Sequence, residues 1–346
     1  MRLIEFSKMN QAINRFSSKP HTSWVTHNRF SDWTQAERDF LLGYHQNYRE
    51  FRRQGYYPSS IPLKPINWVE QGAVSPVQNQ HICGSDWAFA AIGLVEANHF
   101  FETGNLHDLS EQQLIDCTQI YGNKGCLGGA IDGALRYAQD HGVMLERDYP
   151  YKGLTREGCM ANWGMDTVRI TDYVDVPAMN PEQLARAVQK GPVAVAIQGD
   201  SMVYMQYAGG IITDESCFEA KEVNHSVLVV GYGQENGIEY FLVKNSWGET
   251  WGDKGFVKIG LQTAEGICGI QTAPVQGEHA LNQGGQNPQM QAPQPQPLEQ
   301  HHPQPQPQEP HHQPQPQPLE AHHLQPLEAH HLQQPQYQPQ QAAQKP

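Results

Sequence analysis

Near Pro274 the sequence changes character, and the change limits how much of the 346 residues can form a core. Downstream, Gln, Pro and His dominate, with the near-repeat Gln-Pro-Leu-Glu-Ala-His-His at 317–323 and 325–331. So few apolar side chains cannot offset the entropy of ordering a backbone, so 275–346 is predicted to be disordered with some polyproline II bias. A fold must therefore be built upstream, and charge divides that part as well. Residues 1–60 carry net +4, residues 61–274 net −13 and the tail net −4. A basic N-terminal piece and an acidic body attract each other, while an overall charge of −13 speaks against nucleic acid as a partner. No run of about 18 apolar residues offers a membrane span.

Within 1–60, Leu3, Phe6, Met9 and Ile13 recur at helical spacing, and a second helix is predicted from Trp33 to about Tyr57. Pro58 and Pro62 then mark an extended linker. In the body, Asp86–Phe101 and Ala130–Asp140 read as helices. Ser110-Glu111-Gln112-Gln113 resembles a capping box opening a short helix that carries Asp116 and Cys117. Strand signals follow at Val193–Ile197, His225–Tyr232, Tyr240–Lys244 and Phe256–Ile259. Helices first and strands after predict an α+β fold with two packed halves. Six cysteines, even in number, hint at disulfides and an oxidising compartment, with fifteen pairings open by count alone. No charged segment followed by an apolar one precedes the first helix, and the expectation is that the chain begins inside a longer precursor.

Three motifs carry chemistry: Gln80-His81-Ile82-Cys83-Gly84-Ser85-Asp86-Trp87, Asn224-His225-Ser226 and Lys244-Asn245-Ser246-Trp247-Gly248. Cys126-Leu127-Gly128-Gly129 and Gly231-Tyr232-Gly233 accompany them. Together they resemble the papain family of cysteine peptidases, close to its cathepsin L-like members, over essentially all of 61–274. The resemblance implies a two-lobed α+β fold: a helical left lobe, a β-barrel-like right lobe, a partial inhibitory prosegment over 1–60, a peptidase domain over 61–274 and the tail beyond. Asn28-Arg29-Phe30-Ser31-Asp32 matches the family's prosegment loop, whereas Met9 and Ser17 stand where Asn is usual. The same resemblance makes Gln80 the side chain that helps bind the oxyanion, His225 the general base and acid, Asn245 its orienting partner and Trp247 the shielding indole. It pairs Cys83 with Cys126, Cys117 with Cys159 and Cys217 with Cys268.

One position departs from the pattern: the family's nucleophilic Cys falls on Asp86, with His225 and Asn245 lying 139 and 159 residues downstream. A carboxylate is a weak nucleophile toward an amide and would form a mixed anhydride. As a general base for water it would need a second carboxyl group, which no motif supplies. At a helix start, however, a negative side chain is stabilised by about 0.3–1 kcal/mol. An Asp86–His225 ion pair and loss of peptidase chemistry are therefore expected. His81, where Gly is usual, adds to that expectation.

By resemblance, Gly128 and Gly129 present backbone to an extended peptide, and Ala130, Ile131, Ala196, Ser226 and Ala273 line a pocket for a bulky hydrophobic residue such as Leu or Phe. The implied partners are a peptide or protein ligand in the cleft and the chain's own prosegment. The implied state is a monomer in a lysosomal, vacuolar or secreted setting, with no cofactor and no metal. Two other readings stay open: a residual endopeptidase, and a structural or matrix role driven by the tail. Asn224-His225-Ser226 is also a glycosylation sequon, expected to be unmodified because His225 should face the cleft. The tail pairs His301-His302, His311-His312, His322-His323 and His330-His331 could chelate zinc, copper or nickel loosely; a soluble spacer is the simpler reading.

Overall fold

In the computed structural model, residues 1–45, 53–156, 158–213, 217, 222–261 and 266–278 are described. Seven α-helices are seen among them: α1 Arg2–Ser17, α2 Gln35–Leu41, α3 Asp86–Thr103, α4 Glu111–Cys117, α5 Ile131–Asp140, α6 Pro181–Val188 and the single turn α7 Met202–Met205. The strands are β1 Ser23–Val25, β2 Ile66–Asn67, β3 Val143–Met144, β4 Thr167–Val168, β5 Asp172–Asp175, β6 Val193–Ile197, β7 Tyr207–Ile212, β8 His225–Glu235, β9 Ile238–Lys244, β10 Phe256–Gly260 and β11 Val275–Glu278. α+β is the class, as expected.

The main sheet runs β1-β7-β10-β9-β8-β6-β11-β5, with β2 added against β8. Only β10 and β7 pair in parallel. β1 and β5 are the two ends of that path and do not pair with each other, so the expected barrel-like lobe is an open sheet rather than a closed barrel. The N-terminal segment itself supplies β1, which covers the free edge of β7 through Ser23–Val25. At the other end the fold outruns the expected boundary at 274, because Val275–Glu278 pairs along Asp172–Asp175. The tail and its histidine pairs lie outside the described residues.

Two apolar cores form. One packs Trp87, Ile92, Leu94, Leu114, Leu135 and their neighbours around α3, α4 and α5. The other packs Val195, Val229, Phe241, Val243, Trp247 and Ile259 of the sheet half with Met9, Ile13, Phe16 and Phe30 of the N-terminal segment. α3 is apolar on nearly every side because the first core and β8 enclose it, and Gly104 ends it in the left-handed conformation (φ 79°).

Two helix expectations need correcting. On α1 the buried residues are Met9, Ile13 and Phe16, while Leu3 and Phe6 are exposed, so the packed face begins nearly two turns later than the spacing suggested. Among the described residues, the helix predicted from Trp33 to Tyr57 is only α2, opened by a reciprocal capping box between Thr34 and Glu37 and finished at Leu41. Beyond it, Leu42 N–H still closes on the Arg38 carbonyl, and from Gly43 to His45 the backbone N–H groups go to the body instead of to a helix. Of the box expected at Ser110, half is present: Ser110 Oγ accepts from Gln113 N–H. The Gln113 amide instead donates to Tyr137 and the Gly142 carbonyl.

Candidate functional site

α3 begins at Asp86, so its carboxylate sits in the first turn, where helix N–H groups lack intrahelical partners. His225 opens β8 opposite Ile197 of β6. Asn245 directly follows β9, whose last residue Lys244 pairs with Leu228 of β8. The antiparallel pairing of β8 with β9 therefore brings His225 and Asn245 to one end of the sheet, facing the start of α3. Asp86 and His225 are fully buried.

Asp86 Oδ2 lies 3.1 Å from His225 Nδ1. The contact is off the ring's hydrogen-bonding direction, so Nδ1 makes no aligned hydrogen bond there. Oδ1 accepts from Ser226 N–H at 3.1 Å, and Oδ2 accepts from Gly43 N–H at 2.6 Å. The other ring nitrogen, Nε2, lies 2.8 Å from Asn245 Oδ1. That oxygen also accepts from Ser246 N–H at 2.8 Å, which fixes the amide's orientation and makes Nε2 the donor. Trp247 covers the ring at 4.7 Å between centroids, and Tyr204 approaches it at 6.1 Å.

Gln80 is held from two sides. Ser246 Oγ donates to its Oε1 at 2.6 Å, while its Nε2 donates to the carbonyls of Cys83 and Leu41 at 2.8 Å each. The second of these acceptors belongs to the N-terminal segment. Residues 41–45 direct several backbone groups at the cleft. Gly129 N–H donates to the Gly43 carbonyl at 2.8 Å, His45 N–H donates to the Gly129 carbonyl at 2.9 Å, and Tyr44 N–H donates to the Asn224 carbonyl at 3.1 Å. The Tyr44 ring packs on Ala196 and Ala273, with Val223 beside them. Gly43 fits because it has no side chain: a Cβ there would lie 1.9 Å from the Gly84 carbonyl oxygen. Gly128, at φ 109°, is likewise confined, since a Cβ would meet the Gly43 carbonyl at 2.5 Å.

Behind the site lies a small cavity of about 20 Å³, room for one water, between Gln78, Phe89, Ser226, Lys244 and Asn245. A buried polar seam adjoins it. Glu96 accepts from Ser75 Oγ at 2.6 Å and Leu109 N–H at 3.0 Å, and Lys244 Nζ donates to Ser75 at 3.0 Å. Burial pushes Glu96 up to about 7 and Glu111 well above its ordinary value, and pulls Lys244 down.

All six cysteines are bridged, Cys83–Cys126, Cys117–Cys159 and Cys217–Cys268, so no thiol is free. Three disulfides fit an oxidising compartment. Among the described residues no group of three metal-ligating side chains is gathered, and no helix is long and apolar enough to cross a membrane.

Gln80, Asp86, His225, Asn245 and Trp247 are thus brought together, and Gly129, Ala196 and Ala273 meet one occupant. Ser226 contributes its amide to Asp86, while its hydroxyl has no partner. Ala130 and Ile131 are buried, but Ile131 belongs to the core of the helical half. His81, at φ 54°, is exposed on the turn beside Gln80. Asn224 Oδ1 accepts from Gly199 N–H at 2.8 Å, so the sequon's amide is engaged within the fold. Sequence reasoning missed Gly43 and Tyr44, whose signal was a lone glycine inside a run read as helix. It also missed Asn123, which accepts from Ala130 N–H at 2.8 Å and shapes the loop around Gly128.

Residues 63–277 match the family described as papain family cysteine protease. Cathepsin L of Sarcophaga peregrina is 39% identical over 71% of this chain and 76% of its own length. Procathepsin L of Rattus norvegicus is 37% identical over 79% of this chain and 81% of its own length. Among solved structures, digestive procathepsin L 3 from the larval midgut of Tenebrio molitor superposes with a TM-score of 0.70 at 36% identity, covering 80% of this chain and 90% of that one. With the sequence of the body and the fold of both body and N-terminal segment matched, the chain belongs to the papain family, as a cathepsin L-like homologue in procathepsin form.

Proposed function

We propose that this chain is a papain-like protein that holds peptides without cutting them. Asp86 stands where the family's nucleophilic Cys belongs. Gln80 retains the geometry of an oxyanion donor, His225 that of the general base and acid, and Asn245 and Trp247 those of its supports. The carrying observation is that the atoms facing His225 are carboxylate oxygens already bound to the Ser226 and Gly43 amides, while every cysteine sulfur lies in a disulfide. An acyl transfer would have to start from an anchored, weakly nucleophilic oxygen and end in an anhydride.

The cleft keeps its peptide-binding character through Gly128, Gly129, Ala130, Ala196, Ser226 and Ala273, which suit a hydrophobic side chain such as Leu or Phe. Residues 1–60 act as the prosegment, 61–278 as the peptidase-like domain, with its last strand at Val275–Glu278, and the remainder as a low-complexity tail. The protein works as a monomer in a lysosomal, vacuolar or secreted setting.

The decisive experiment assays turnover of a dipeptidyl coumarin substrate by the parent chain and its Asp86→Cys variant, each after removal of the N-terminal segment. Turnover by the variant alone is expected; turnover by a parent sample with Asp86 verified overturns the proposal. Fluorescence anisotropy with an uncleavable Leu- or Phe-containing peptide is expected to show saturable binding, and its absence removes the binding half of the reading.

A further inference from the structure

We infer that Asp86 converts the cleft into a receptor for a peptide carrying a glycine followed by an aromatic residue, lying in the direction that Leu42-Gly43-Tyr44 takes. This rests on the reading of the cleft as a peptide-binding site and specifies the ligand. The chain's own segment displays the recognition chemistry. A carboxylate with no exposure has an oxygen available for one more donor, and Gly43 N–H fills it at 2.6 Å. Charge-assisted hydrogen bonds of this kind are about twice as strong as neutral ones.

That donor can approach only without a side chain, since a Cβ would collide with the Gly84 carbonyl. The next residue must project an apolar ring onto Ala196 and Ala273, as Tyr44 does. Its polarity along the cleft is set by Gly129, which pairs with Tyr44 in a parallel bridge using both its N–H and its carbonyl. Gln80 fixes the upstream end by donating to the carbonyl two residues before the glycine. Four anchors therefore read one backbone direction, one glycine and one aromatic ring. Any segment with that pattern, from this chain or another, meets the same contacts once residues 42–45 leave.

The test uses the full chain carrying Gly43→Val, which expels its own segment from the cleft. The probe is a fluorescein-labelled peptide Asp-Phe-Leu-Leu-Gly-Tyr-His-Gln, corresponding to 39–46. Saturable binding to the variant and none to the parent is expected, with at least tenfold weaker binding when the peptide's Gly is replaced by Ala. Adding Asp86→Ala to the chain is expected to weaken the glycine peptide at least tenfold as well. Equal binding of the Gly and Ala peptides overturns this inference while leaving a general peptide cleft standing. Binding of neither, together with no binding of the uncleavable Leu or Phe peptide, removes the underlying reading too. Should Gly43→Val fail to fold, hydrogen exchange on the parent decides instead: the Gly43 amide should be protected, and at least tenfold less so in Asp86→Ala. Unchanged exchange refutes the role given to the carboxylate.

Discussion

Replacing Asp86 by Ala should destabilise the protein substantially, because the carboxylate is a structural hub. Its removal strands two buried amide donors, Ser226 N–H and Gly43 N–H, and leaves His225 Nδ1 facing a void. Each stranded amide costs about 1–3 kcal/mol. Loss of the charge at the start of α3 adds about 0.3–1 kcal/mol. Together these losses come to about 2–7 kcal/mol. At about 2–4 °C per kcal/mol for a chain of this size, a fall in Tm of roughly 10 °C is expected. Differential scanning calorimetry of the parent and Asp86→Ala full chains at one pH measures it, and Asp86→Asn, which keeps one acceptor oxygen, should fall between them. A Tm for Asp86→Ala at or above the parent's refutes this reasoning. That outcome would mark the carboxylate as a strained functional group, the kind whose removal relaxes a fold.

The remaining expectations concern the seam and the cleft. Glu96 is held up to about 7 by burial, against a value near 4.5 unfolded, so the folded state keeps a proton that the unfolded state loses between those values. Stability from this group is therefore fully present below about pH 4.5 and declines as pH rises toward 7, by roughly 3 kcal/mol at most. Melting curves across that range should show the decline in the parent and a flatter profile in Glu96→Gln. Asn123→Ala removes the acceptor for Ala130 N–H and the donor to Thr118 Oγ1, and should cost about 1–3 kcal/mol in urea unfolding. Tyr44→Ala empties the Ala196–Ala273 pocket, and should loosen the segment by about 3 kcal/mol, read as faster proteolytic cutting after residue 45.

Legibility differed by element. β6 coincides with its predicted span, and α3 and α5 nearly so, because each is long, bounded by turn residues and strongly patterned. α2 was overestimated because the residues after Leu41 have acceptable helix propensity. Their backbone groups find better partners on Gly129, Asn224 and Asp86, which are remote in sequence. The open sheet was equally hidden, since closure depends on whether β1 and β5 meet, which no local pattern encodes. At the site, Gln80, Asp86, His225 and Asn245 were readable as motifs, whereas the partners of Asp86 were not.

Taken by itself, the sequence decides which side chains this protein owns: a carboxylate at the head of a long apolar helix, a histidine and an asparagine bracketing two strands, six cysteines and a tail too polar to pack. Those are local properties of residue type and spacing. Only the folded chain decides that the carboxylate is dry, that it receives a glycine amide from 43 residues upstream, and that a tyrosine seals the neighbouring pocket. Such contacts depend on how α3, β8 and the N-terminal segment converge, and convergence arises from the packing of distant surfaces.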